Sequence, residues 1–186
     1  MTDGPYSVAV LIGSLRRDSL NRKMARALEG LAPSSLRLVE VPIGGLPLYN
    51  QDLDHEPLPP WVEFRDRIRK ADAVLFVTPE YNRSIPGGLK NAIDVGSRPS
   101  GHSAFRGKPA AVISVSPGAI GGFGANQHIR QALVFLDMPT LQQPEAYIGG
   151  AGSLFDADGS LVKEDTKAFL RQFLDAFAGW IERLRS

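Results

Sequence analysis

Cysteine is absent from this chain of 186 residues. Its absence excludes disulfides, a thiol nucleophile, thiolate-held iron–sulfur clusters and cysteine zinc sites. Histidine is scarce. His55, His102 and His128 lie far apart and form no ligand pattern such as H-E-x-x-H, so they read as surface or supporting groups. Charge of one sign is missing as well: Lys and Arg total 21 against 20 Asp and Glu, a net +1. No global field therefore draws the chain to nucleic acid or to an acidic membrane. Long apolar runs are lacking too. The start, MTDGPYSVAVLIGS, carries an acid near the terminus and an apolar stretch too short for a secretory signal or a membrane span. What remains is a cytoplasmic enzyme or carrier, and the length suits one domain over residues 1–186.

Five short runs rich in Val and Ile stand out at Tyr6–Ile12, Leu36–Val41, Ala73–Thr78, Ala110–Val115 and about Thr140–Ile148. The first, third and fourth are nearly continuous apolar runs, the pattern of parallel strands covered on both faces. The fifth holds Gln142, Gln143 and Glu145 and suits a sheet edge. Helical periodicity separates the runs. Leu20, Met24, Ala27, Leu28 and Leu31 share one face, as do Trp61, Phe64, Ile68 and Ala71. Near the end, Phe169, Leu170, Phe173, Leu174, Phe177, Ile181 and Leu184 line a broad stripe. Strand alternating with helix along the chain predicts a doubly wound α/β sandwich.

In such a sheet, ligands bind beyond the carboxyl ends of the strands. Three unusual loops follow the first, third and fourth runs, so all three are expected on one edge. GSLRRDSLN, Gly13–Asn21, places Asp18 or Ser19 to cap a helix starting near Leu20, whose free N–H groups and dipole attract an anion. Ser14, Ser19 and Asn21 add neutral polar groups, and Arg16 adds a charged fork suited to phosphate. A capped helix with solvated arginines explains the same residues. TPEYNRSIPGGLKNAIDV, Thr78–Val95, has Ile85-Pro86 as a helix entrance. Before it, Pro79, Glu80, Tyr81 and Asn82 can present backbone groups to the edge of a flat polar ring, or simply form a rigid connection. SVSPGAIGGFGANQ, Ser114–Gln127, is rich in glycine, which permits close backbone approach. A flexible loop is the alternative.

At these residues the chain resembles the NAD(P)H-dependent FMN reductases, flavodoxin-like proteins that include chromate and quinone reductases and azoreductases. The motifs carrying the resemblance are S-x-R-x-x-S-x-N, here Ser14, Arg16, Ser19 and Asn21, and P-E-Y-N…S-x-P-G-x-L-K-N-A-I-D, here Pro79–Asp94. The segments LPLYNQDLD, GAIGG and LVFLDMP add to it. The resemblance implies a flavodoxin-like three-layer sandwich with a five-stranded parallel sheet in the order 2-1-3-4-5. It implies a bound FMN, its phosphate surrounded by Ser14, Arg16, Ser19, Leu20 and Asn21. The isoalloxazine would be bordered by Pro79, Glu80, Tyr81 and Asn82, and the site closed by Ser116 and Gly118. Two places depart from many relatives: Val95 stands where an aromatic is common, and the run Phe123-Gly124-Ala125-Asn126 stands where an Arg often follows the GG pair.

A flavin would carry the chemistry, with the protein supplying position and electrostatics. The implied cycle is ping-pong hydride transfer, from NADPH or NADH to the flavin and then to a quinone, azo compound, free flavin or metal oxyanion such as chromate. Backbone N–H groups of Glu80–Asn82 would favour the reduced ring. Arg83 and Arg106 are candidates to attract the dinucleotide phosphates, or are simply solvated. The resemblance further implies a homodimer or homotetramer, although Phe135, Leu136 and Met138 read equally as core. A flavodoxin-type electron carrier without a dinucleotide substrate is the competing reading, but such carriers are usually strongly acidic, and this chain is balanced and carries Arg16 in its first loop. A flavin-free regulatory domain would leave Arg16 and the PEYN stretch without a task.

Overall fold

Apolar residues at successive positions of a strand point to opposite faces, so a continuous apolar run needs a covering layer on each side. That is how the runs of this chain are used. The structure, a computed structural model, describes residues 4–185; the acid near the start, Asp3, lies outside the described residues. The elements run β1 (Tyr6–Ile12), α1 (Leu20–Leu31), β2 (Leu36–Glu40), α2 (Pro59–Lys70), β3 (Ala73–Thr78), α3 (Gly87–Ser97), β4 (Ala110–Val115), α4 (Phe123–Phe135), β5 (Ala146–Ile148) and α5 (Glu164–Arg185), with single 3-10 turns at Gln51–Leu53 and Ala151–Ser153. The five strands pair in parallel in the order β2-β1-β3-β4-β5, the flavodoxin-like order.

Val8, Val10 and Ile12 of β1 face one layer with Leu75, Val77, Ile113 and Val115, against Met24 and Leu28 of α1 and Leu170, Phe173, Leu174, Phe177 and Ile181 of α5. Ala9 and Leu11 face the other with Val74, Phe76 and Val112, against Trp61, Phe64 and Ile68 of α2, Leu89 and Ile93 of α3, and Ile129 and Leu133 of α4. Burying a side chain of this size is worth about 1.5–3 kcal/mol, so the two cores hold all three layers together. The α5 stripe stops short of expectation: its burial ends at Ile181, and Leu184 is exposed.

Three boundaries shift. β2 ends at Glu40, although the Val41 N–H still donates to the Val10 carbonyl at 3.0 Å. Thr140 makes one isolated bridge to Ala110, and pairing of β5 begins only at Ala146. Between them lies Pro144, which has no N–H to give a ladder. Pro86 stands one residue before α3, as its N-cap, rather than at its first position.

Candidate functional site

Register brings the loops together. Ile12 pairs with Val77, Thr78 with Ser114, and Val115 with Ile148, so β1, β3, β4 and β5 end on one edge. The Gly13 N–H extends the ladder by donating to the Val77 carbonyl at 2.8 Å. Gly13 has no room for a side chain: a Cβ there would lie 3.0 Å from Leu89 and 3.1 Å from both Pro79 and Thr78. The first two loops touch at that point.

The first loop starts α1 as its residue types require. Ser19, with extended backbone, caps the helix, its Oγ accepting from the Arg22 N–H at 3.2 Å. Asp18 does not cap; it pairs with Lys23 at 2.8 Å, and that hydrogen bond and charge hold its carboxyl below the usual value. The start of α1 thus carries no acid in its first turn, and the N–H groups of Leu20 and Asn21 have no carbonyl within the helix to meet. Ser14, Ser19 and Asn21 are each 3% exposed, Leu20 is half-buried, and Arg16 is exposed. Among the described residues Arg16 makes no ion pair. Asn21 Nδ2 donates to the Val115 carbonyl at 3.3 Å, tying α1 to β4, while its buried Oδ1 has no partner.

The second loop is a tight hairpin. Tyr81 and Ser84 exchange backbone hydrogen bonds at 3.1 and 3.0 Å around Asn82 and Arg83, both left-handed at φ 51° and 62°. The expectation that N–H groups across Glu80–Asn82 face a ligand needs correction. The Tyr81 N–H closes the hairpin by donating to the Ser84 carbonyl, leaving those of Glu80 and Asn82 without a backbone partner among the described residues. Pro79 is half-buried, its carbonyl accepting from the Thr78 hydroxyl at 2.7 Å, and the Tyr81 side chain is 46% exposed. Glu80 turns its carboxylate to α4, where Oε2 accepts from the Ala125 N–H at 3.1 Å. His128 Nδ1 lies 2.9 Å from Ser84 Oγ.

In the third loop, Ser116 Oγ accepts from the Gly118 N–H at 3.1 Å and the Ser116 N–H donates to the Ile148 carbonyl at 3.0 Å. The Gly118 carbonyl accepts from Gly121 and Gly150. Asn126, fully buried, lies behind this loop. It donates to the Ala146 carbonyl at 3.2 Å and to Ser114 Oγ at 3.3 Å, and accepts from Arg130 Nε at 2.9 Å.

A fourth loop, after β2, reaches the same edge and was legible only as the segment LPLYNQDLD. Asn91 accepts from the Tyr49 N–H at 2.9 Å and donates to the Leu46 and Pro47 carbonyls, and Trp61 Nε1 also donates to Pro47. The Tyr49 hydroxyl donates to Asp54 at 2.8 Å; burial, then that carboxylate, push it above the ordinary phenol value. Leu15 of the first loop reaches across to this one, passing Gly44 and Gly88. Asn91 lay within the P-E-Y-N…K-N-A-I-D motif without a role of its own, and no sequence signal marked Leu15 or Asn126, because their partners are remote in the chain or a helical turn away.

Arg106 is elsewhere. It precedes β4 and pairs at 3.3 Å with Asp137, which follows α4, so both sit at the edge where strands begin. Val95, where relatives carry an aromatic, is fully buried in the core. Among the described residues no group of three or more His, Cys, Asp or Glu forms a metal site.

A doubly wound sheet in this strand order, with an acid-free helix start capped by the neutral Ser19 between converging loops, defines a flavodoxin-like α/β protein. Residues 6–153 match the NADPH-dependent FMN reductase family. The chain is 65% identical over 182 residues to a quinone reductase of Pseudomonas putida, covering 97% of each chain. It is 46% identical over 174 residues to an NAD(P)H-dependent FMN reductase of Pseudomonas aeruginosa, covering 93% of this chain and 94% of that one. Among solved structures, the flavoenzyme NAD(P)H:(acceptor) oxidoreductase FerB of Paracoccus denitrificans superposes with a TM-score of 0.90 at 46% identity, over 96% of this chain and 98% of that one. The chain belongs to the NADPH-dependent FMN reductase family and is an oxidoreductase.

Proposed function

We propose that this chain is an FMN-dependent reductase that uses NAD(P)H to reduce quinones, and by extension azo compounds, free flavin and metal oxyanions such as chromate, in a ping-pong cycle. The observation that carries the proposal is the start of α1. There the helix end has no acid in its first turn, Ser14 and Ser19 are buried, and Arg16 is free of any ion pair among the described residues. The residues fit FMN. Ser14, Arg16, Ser19 and the N–H groups of Leu20 and Asn21 supply donors for a phosphate dianion. The buried Asn21 Oδ1 asks for a donor instead, which a ribityl hydroxyl offers and a phosphate dianion does not.

Bound FMN supplies hydride acceptance from the nicotinamide and delivery to the acceptor. The protein's part is position. Pro79, Tyr81 and the N–H groups of Glu80 and Asn82 border the ring, those N–H groups favouring added negative charge on it. Ser116 and Gly118 close the other side. Tyr81 is exposed enough to meet a second flat molecule. Arg83, 76% exposed and 3.6 Å from Glu80, stands on this edge and is placed to meet a dinucleotide phosphate, whereas Arg106 is on the wrong edge.

The proposal extends to one domain acting in the cytoplasm as a homodimer or homotetramer. No helix among the described residues is long and apolar enough to cross a membrane. Leu136 and Met138 are core, but Val134 and Phe135 on α4 are 79% and 84% exposed, an apolar pair suited to a second subunit.

The deciding experiment is the visible spectrum of the purified chain with FMN, taken anaerobically before and after NADPH and then with a quinone. A flavin band that bleaches and returns is the expected result. A band that NADPH leaves unchanged favours an electron carrier, and no retained band ends the flavin reading.

A further inference from the structure

Glu80 brings a carboxylate to an edge otherwise prepared for an anion, and the chain itself consumes it. The side chain is 13% exposed; Oε2 accepts from the Ala125 N–H at 3.1 Å and Oε1 lies 3.6 Å from the Arg83 guanidinium. Ala125 is the third residue of α4, so its N–H has no carbonyl within the helix to meet. The approach depends on Gly124, where a Cβ would lie 2.6 Å from the Arg83 carbonyl oxygen and 2.9 Å from Glu80 Oε2. Ser84 meets His128 one turn further along. Between these two attachments stand Asn82 and Arg83, non-glycine residues held left-handed, a conformation that persists only where the surroundings impose it.

We propose that Glu80 is a positioning residue: its carboxylate clips the Tyr81–Ser84 hairpin onto the first turn of α4 and so sets where the free N–H groups of Glu80 and Asn82 stand for the flavin ring. The inference rests on the reading that this hairpin borders the ring. It assigns the Glu80 side chain a task separate from ligand contact and separate from the phosphate cradle at α1.

FMN and riboflavin, which share the ring and differ in the phosphate, separate the two tasks when their dissociation constants are measured on the apo-protein. Arg16→Ala should weaken FMN alone. Glu80→Ala should weaken both flavins by the same factor, about ten- to a hundredfold, for loss of a charge-assisted hydrogen bond. Glu80→Gln, whose amide oxygen still accepts from the Ala125 N–H, should recover most of that loss. If Glu80→Ala does not fold, Glu80→Asp, one methylene short of α4, takes its place. A Glu80→Ala protein that melts earlier yet holds both flavins like wild type overturns the inference, leaving a helix cap only. Loss confined to FMN overturns it as well, as does failure of Glu80→Gln to recover binding. Wild-type protein that holds FMN but not riboflavin overturns it, because the ring strip then contributes nothing to position. Wild-type protein that holds neither flavin overturns the underlying reading too, whereas wild-type binding with Arg16→Ala weakening FMN alone keeps that reading standing whatever Glu80→Ala does.

Discussion

α1 and α4 begin on the same edge of the sheet and treat their free N–H groups in opposite ways. α1 has a neutral cap in Ser19, no acid in its first turn, and Asp18 drawn aside by Lys23. α4 has a left-handed glycine before it, no cap of its own, and the carboxylate of Glu80 on its third N–H. Each start carries roughly half a positive charge, so either was equipped by geometry alone to hold an anion. The difference teaches that the same half charge is left available or spent according to where the chain sends its own acids. Here one end is left open and the other is used to fasten a loop.

The comparison can be broken most readily at the open end. Arg16→Ala should weaken FMN binding by about 1.5–3 kcal/mol, the range for a hydrogen bond to a charged group. Titration that finds FMN affinity unchanged moves the anion away from α1. At the closed end, Gly124→Ala should cost about 1–3 kcal/mol of stability, since the added methyl collides with backbone. A thermal melt at or above wild type would show that the hairpin can retreat, and the close packing would lose its meaning. Ser19→Ala should cost about 0.5–2 kcal/mol through the lost cap. It should also weaken FMN, whereas a pure cap would leave FMN binding alone. The smallest effect has the opposite sign. Gly30, in α1 with nothing within 4 Å of an added Cβ, should gain about 0.5–1 kcal/mol on change to Ala. The same substitution in the two helices, measured in one denaturation series, separates propensity from packing.

Much of this was legible in the chain. β1, β3 and β4 have the bounds expected from their apolar runs, because a strand buried on both faces must be apolar throughout. The start of α1 and a cap at Asp18 or Ser19 followed from residue types whose oxygen acts within three positions, and the structure chose Ser19. β5 was less legible: Gln142 to Glu145 gain nothing from pairing, and only Ala146–Ile148 joins the sheet. α4 was hidden by its glycine-rich entrance and by Asn126, a polar residue whose burial is sustained by Ser114, Ala146 and Arg130, all remote in sequence or a helical turn away. In the candidate site, the residue types of the proposed cradle were legible. The spent N–H of Tyr81, the placement of Arg106 on the far edge and the direction of Glu80 were not, since each depends on which distant backbone group lies nearby.

The sequence by itself determined the alternation of strands and helices, the acid-free start of α1 and the family, because those rest on local periodicity, capping and motif. Only the tertiary structure decided that α4's positive end is filled from within, that Asn21 keeps a buried oxygen free, and that Leu136 and Phe135, neighbours in the chain, face core and solvent. These depend on pairings across the sheet and between loops, and no local preference along the chain encodes which partner arrives.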